Sequence, residues 1–168
     1  MNTREAIQTL RSGEILIYPT DTVWGLGGDA TRPEVVNKIR QLRTIPADQG
    51  LVVLVWDASV LDRYVVRVPE LAYDLIEYAE DPLTIIFPKG KNIAENVLAS
   101  DGSIAIRVVK TSPIRELVES FGRPIVSTQI TEGSDIPRLD PPTTWKPSQK
   151  LSRMVRLGLG GEFEFIRK

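Results

Sequence analysis

The stretch Ile15-Leu16-Ile17-Tyr18-Pro19-Thr20-Asp21-Thr22-Val23-Trp24-Gly25-Leu26-Gly27-Gly28-Asp29-Ala30 constrains the fold more than any other part of the chain. Its apolar start reads as a β-strand, Pro19 interrupts it, and the glycines that follow let backbone approach backbone or ligand. A packed strand feeding a polar, glycine-bracketed loop is a common way for an α/β scaffold to hold a small-molecule site. A strand, a turn and a buried glycine would serve the same spacing, so the chemistry has to be sought in the rest of the chain.

Around this stretch the apolar periodicity alternates between the two regular structures. Asn2 and Glu5 suit a capping box for a helix with Ala6, Ile7 and Leu10 inward and Gly13 as its stop. A strand follows at 14–18. Thr31 and Glu34 repeat the capping-box pattern before a helix carrying Val35, Val36, Ile39 and Leu42, with Pro33 in its first turn. The run 51–56 is almost wholly apolar, as a strand buried on both faces would be. Asp57 or Ser59 caps a short helical turn, and Pro69 opens a helix with Leu71, Ala72, Leu75, Ile76 and Ala79 inward. Strands are expected at 83–87, 103–109 and 124–128, with a short helix over 91–100 and another starting at Ser112-Pro113 and ending at Gly122. Residues 132–149 read as a long loop, and such loops in compact domains are functional or mobile. Two last strands, 154–157 and 162–166, join through Gly158-Leu159-Gly160-Gly161 as a hairpin. Alternation of strands and helices gives an α/β class, and the terminal hairpin makes the sheet mixed. With no repeat and no boundary, residues 1–168 are expected to form one domain.

Composition narrows the chemistry. The chain contains no cysteine and no histidine, which removes disulfides, thiol nucleophiles, imidazole bases and most zinc or haem sites. No resident metal is expected. Any catalysis must come from carboxylates, hydroxyls, lysine and arginine, or from positioning and charge stabilisation. The 21 basic and 22 acidic residues nearly cancel, unlike the basic footprint of a dedicated nucleic-acid binder. No apolar run approaches the length of a membrane span, so a cytoplasmic protein without membrane contact is expected.

Four groups could carry function. Thr20, Asp21 and Thr22 present hydroxyl and carboxylate groups at a strand's end, for turn capping or ligand contact. Arg107 interrupts an apolar strand and must meet solvent, a carboxylate or an anion, because burying it unpaired is costly. Lys38, Arg40 and Arg43 do not share one helix stripe, and a solvated basic face would explain them. Lys146-Pro147-Ser148 could bring a cation and a hydroxyl to a phosphate. The glycine cluster is neither a Walker A loop nor a dinucleotide fingerprint.

The motif Pro19-Thr20-Asp21-Thr22-Val23-Trp24-Gly25-Leu26-Gly27 resembles the Pro-Thr-Asp/Glu-Thr-Val-Tyr-Gly-Leu signature of the YrdC-like family. Pro82-Leu83-Thr84, Ala105-Ile106-Arg107-Val108, the strand Pro124-Ile125-Val126-Ser127-Thr128, and the tail with Lys146-Pro147-Ser148 and Arg156-Leu157-Gly158 are similar to later family segments, in order. The resemblance implies a twisted, open, mixed sheet flanked by helices, with a concave electropositive groove. Its enzymes are threonylcarbamoyl-AMP synthases, nucleotidyltransferases that use threonine, bicarbonate and ATP, with Mg²⁺. Their product goes to the t6A transfer machinery that modifies tRNA. Carried over by position, the resemblance implies Arg43 and Arg107 as the catalytic cations. It puts Thr20, Asp21 and Thr22 on substrate, and Ser127, Thr128, Lys146 and Ser148 near the nucleotide. The departures are specific. The family's Lys-x-Arg before the proline is Arg43-Thr44-Ile45 here, its Ser-x-Asn is Gln129-Ile130-Thr131, and its Trp-Pro-Gly is Ala79-Glu80-Asp81. These changes resemble the YciO branch and imply an alternative, a nucleotide- or double-stranded-RNA-binding paralogue without synthase activity.

Overall fold

The computed structural model describes residues 1–111, 113–130, 135–148 and 150–168. Its frame is one eight-stranded sheet: β1 (Leu16–Pro19), β2 (Trp24–Gly27), β3 (Val52–Val55), β4 (Leu83–Phe87), β5 (Ile104–Val108), β6 (Ile125–Gln129), β7 (Arg153–Leu157) and β8 (Phe163–Arg167). They lie in the order β1-β2-β6-β3-β5-β4-β7-β8. The pairs β3–β5 and β4–β7 are parallel and the other five antiparallel. The mixed, open α/β sheet expected from the sequence is therefore present.

Register explains how one face becomes a core and the other a site. Side chains alternate across a strand, and one face carries Val53, Val55, Ile85, Ile104, Ile106, Val126, Val155 and Leu157, all buried. The helices α2 (Pro33–Arg43), α3 (Leu61–Tyr64) and α4 (Glu70–Tyr78) cover it. On the other face, α1 (Thr3–Arg11) and α5 (Ile114–Phe121) cover only part of the sheet, packing on Leu16, Tyr18, Leu54 and Ile125. One cross-strand row there runs Ser127, Val52, Ala105, Ile86, Arg156, and the next runs Ile125, Leu54, Arg107, Thr84, Met154, Arg167. The two helices stop over Ile125 and Leu54. The remainder is left bare.

Several local expectations are corrected. The glycine cluster is no loop: Trp24–Gly27 is strand β2, antiparallel to β1, and Pro19 closes β1 rather than breaking the structure. Gly27 is there for space, since a Cβ on it would lie 1.5 Å from the Val126 carbonyl oxygen. Asn2 caps α1 through the Glu5 amide as expected, but α2 starts at Arg32 without a side-chain cap. Thr31 instead gives its hydroxyl to Asp29. Residues 91–100 contain only a 3₁₀ turn, Glu95–Val97. Asp57, not Ser59, caps the turn Ala58–Val60. Of the expected loop 132–149, residues 132–134 and 149 lie outside the described residues. The described part runs along β1 as a strap, with Ile17 bonded to Pro137 and Leu139.

Candidate ligand groove

The bare part of the sheet is the floor of a cavity of about 480 Å³. The four-residue turn Thr20 to Val23 joins β1 to β2 and forms one wall. Thr20 is buried, and its hydroxyl donates to the Val23 carbonyl at 2.6 Å. The same oxygen accepts from the Thr22 amide at 3.0 Å and lies 3.1 Å from the Thr22 hydroxyl. A hydroxyl has one proton and two lone pairs, so Thr22 must be the donor to Thr20. Thr20 Oγ is thereby saturated, whereas Thr22 Oγ keeps acceptor capacity at the cavity wall.

The strap holds this turn from outside. The Trp145 indole N–H donates to the Thr20 carbonyl at 2.7 Å, and the Ser148 amide donates to the Thr22 carbonyl at 2.6 Å. Trp145 also meets Trp24 edge to face, with centroids 4.9 Å apart, and the Arg138 guanidinium lies 4.7 Å from the Trp24 ring centre. Trp24, itself a lining residue, is thus fixed from two sides.

Arg107 reaches the groove from β5, in the middle of the sheet, so exposure at a sheet edge does not explain it. Its side chain and that of Asp21 are each 7 % exposed, with Nη2 2.9 Å from Oδ1. The approach is an ion pair out of hydrogen-bond alignment: neither Asp21 Oδ1 nor Arg107 Nε has an aligned partner among the described residues. Arg43, Arg156 and Arg167 also line the cavity, together with Gln49, Ser103, Ser127, Thr128 and Ser152, and no carboxylate does so among the described residues.

Of the residues singled out in sequence, Thr20, Thr22, Arg43, Arg107, Ser127 and Thr128 therefore share one cavity. Asp21 points away, into a second, smaller hollow of about 190 Å³ that also holds Glu80, Asp81 and Lys110. Glu80 and Asp81, from the segment that stands in place of the family's Trp-Pro-Gly, therefore lie outside the groove. Lys146 and Ser148 are exposed on the strap outside the lining, Ser148 touching the turn only through its backbone. Thr128 gives its hydroxyl to the Leu26 carbonyl at 2.8 Å, which ties β6 to β2. Arg40 is not part of a solvated face: it is buried and donates to the carbonyls of Asn96, Pro46 and Gln49. Burial lowers its pKa from the usual value. It fastens the segment after α2, whose Ile45, Gln49 and Gly50 line the cavity, to the 94–97 turn. Arg156 and Arg167 were missed as site residues. Only the pairing of β7 with β4 and of β8 with β7 turns their face of the sheet into a cavity floor.

One face of the open mixed α/β sheet is half covered, and an arginine-lined groove lies on the bare half. The chain belongs to the Sua5/YciO/YrdC family: the family model described as "Telomere recombination" matches residues 8–142. A threonylcarbamoyl-AMP synthase of Hahella chejuensis is 33% identical over 135 residues, covering 80% of this chain and 73% of that one. Among solved structures, E. coli YciO superposes with a TM-score of 0.81 at 21% identity, over 99% of this chain and 88% of that one. P. abyssi Sua5 complexed with L-threonine superposes at 0.78 and 22% identity over 92% of this chain. The chain spans half the length of that Sua5 chain. No helix among the described residues is long and apolar enough to cross a membrane.

Proposed function

We propose that residues 1–168 act as one YrdC-like domain that makes threonylcarbamoyl-AMP from threonine, bicarbonate and ATP. The observation that carries this reading is the convergence of Thr20, Thr22, Arg43, Arg107, Ser127 and Thr128 on one cavity without a lining carboxylate among the described residues. Threonine's amine condenses with bicarbonate to a carbamate, releasing water. A carbamate oxygen then attacks the α-phosphate of ATP, and pyrophosphate leaves. None of these steps needs an imidazole or a thiol. The protein's share is positioning and charge stabilisation. Thr22 Oγ, with its open acceptor capacity, suits the amine. Arg107, held by Asp21, suits the substrate carboxylate, and Arg43 with Ser127 and Thr128 suits the nucleotide. Among the described residues the lining offers no carboxylate to cage Mg²⁺, so the ion belongs with the ATP phosphates as part of the substrate.

The product fits the t6A pathway of tRNA modification in the cytoplasm. The test is incubation with threonine, bicarbonate and Mg-ATP, reading pyrophosphate and threonylcarbamoyl-AMP by chromatography. Formation of both, dependent on all three substrates, is expected, and absence of product at micromolar enzyme overturns the synthase assignment. One feature favours the second reading, a YciO-like nucleotide- or double-stranded-RNA-binding protein: Ile45 puts an aliphatic side chain on the cavity wall where the family pattern has an arginine. That reading predicts no turnover together with RNA binding that weakens steeply with salt.

A further inference from the structure

The four lining arginines are not equally committed. Arg107 is matched by Asp21 at 2.9 Å. Arg167 donates from Nε to the Ser152 carbonyl at 2.6 Å and from Nη2 to the Ser152 hydroxyl at 3.2 Å. Arg156 differs: the one carboxylate within 4.0 Å of it among the described residues is Asp101, with Nη1 to Oδ2 at 3.9 Å. That contact is at the limit of an ion pair, between side chains 45% and 63% exposed, and Asp101 Oδ1 already accepts from the Ser103 amide at 2.9 Å. Glu164 stands opposite Arg156 in the β7–β8 register but is outside that distance.

Position matters as much as commitment. Arg156 lies in the row Ala105, Ile86, Arg156, two strands from β5, so about 10 Å across the floor from it at ordinary strand spacing. The turn end of the cavity is charge-balanced by Asp21 and suits an amino acid. The β7–β8 end carries positive charge with no lining carboxylate among the described residues, and suits a polyanion.

We propose that Arg156 is a phosphate-binding residue of this groove, held in reserve at the cavity lip by Asp101 and released to the phosphate chain of a nucleoside triphosphate. It supplies from β7 a cation that the sequence around Ile45 does not. Residues 153–168 lie beyond the segment that the family model matches. The proposal rests on the groove reading above, but its test does not need turnover.

Binding of inorganic tripolyphosphate and of ATP is measured by calorimetry at low salt on wild type, R156Q, R156K and D101N. The expected result is affinity about tenfold weaker in R156Q, as loss of a charge-assisted contact gives. R156K should be intermediate, D101N equal to wild type or tighter, and threonine binding unchanged throughout. Tripolyphosphate affinity within twofold of wild type in R156Q overturns the proposal. So does a loss in D101N matching that in R156Q, which would mean that the pair only props the lip, and so does a wild type that binds no tripolyphosphate. If wild type binds the phosphates and makes no threonylcarbamoyl-AMP, the synthase reading fails and the role of Arg156 stands.

Discussion

Replacing Asp21 by Asn keeps the shape of the turn and removes the charge facing Arg107, two groups whose side chains are each 7 % exposed. Removing one partner of a buried pair costs about 3–5 kcal/mol, because the other charge stays behind uncompensated. Arg107 faces a cavity of about 480 Å³, which lets water reach part of the guanidinium, so the loss falls to or just below the bottom of that range, about 2–3 kcal/mol. With a urea m-value of about 2 kcal/mol/M, the unfolding midpoint should fall by about 1–1.5 M. The assay is urea unfolding followed by tryptophan fluorescence. The control is the double variant Asp21→Asn, Arg107→Met, which removes both charges and should lose less than the two single losses combined. If Asp21→Asn stays within about 0.5 kcal/mol of wild type, as ordinary surface substitutions do, or if the losses are additive, the pair is not the buried tie described here.

Two other outcomes follow from the packing. Burial raises the Tyr18 phenol far above its usual pKa of 10.0, and its hydroxyl donates to the Val126 carbonyl. The folded chain keeps that proton while the unfolded chain gives it up near pH 10, so the stability it contributes is complete below that pH and is lost as pH rises above it. Tyr18→Phe should cost about 1–2 kcal/mol at neutral pH and flatten the alkaline limb of the stability profile; an unchanged limb refutes the assignment. Gly27→Ala drives a methyl group to 1.5 Å from the Val126 carbonyl oxygen and should abolish cooperative thermal unfolding. A variant that melts within a few degrees of wild type would show that β2 and β6 are not that close.

Much of the framework could be read from the chain because it is written in local periodicity. Short apolar runs marked β4, β5, β6 and the β7–β8 hairpin, and the stripe Val35, Val36, Ile39 marked α2. β2 was missed because a strand of Trp-Gly-Leu-Gly has almost no propensity of its own. It exists because Gly25 and Gly27 let it pass under Tyr18 and against β6, a long-range condition. The groove was half legible. Thr20, Thr22, Arg43 and Arg107 sit where a motif pointed, but Arg40 was misjudged because its role is to tie the backbone carbonyls of Pro46 and Gln49, just after α2, to that of Asn96, far along the chain. Arg156 and Arg167 depended on which strand β7 pairs with, and Glu80 and Asp81 on which side of Arg107 their segment passes. Spacing does not carry that kind of information.

The sheet order has a consequence for how the protein comes into being. Its two outer hairpins come from opposite ends of the sequence, β1–β2 beside β6 and β7–β8 beside β4, and the cavity draws side chains from Thr20 to Arg167. No contiguous fragment can rehearse the hollow, so on the ribosome it stays unmade until Arg167 has cleared the exit tunnel. Occupancy by ligand should then clasp the first and last strands in a single event, making the bound molecule a late-arriving keystone for the whole chain.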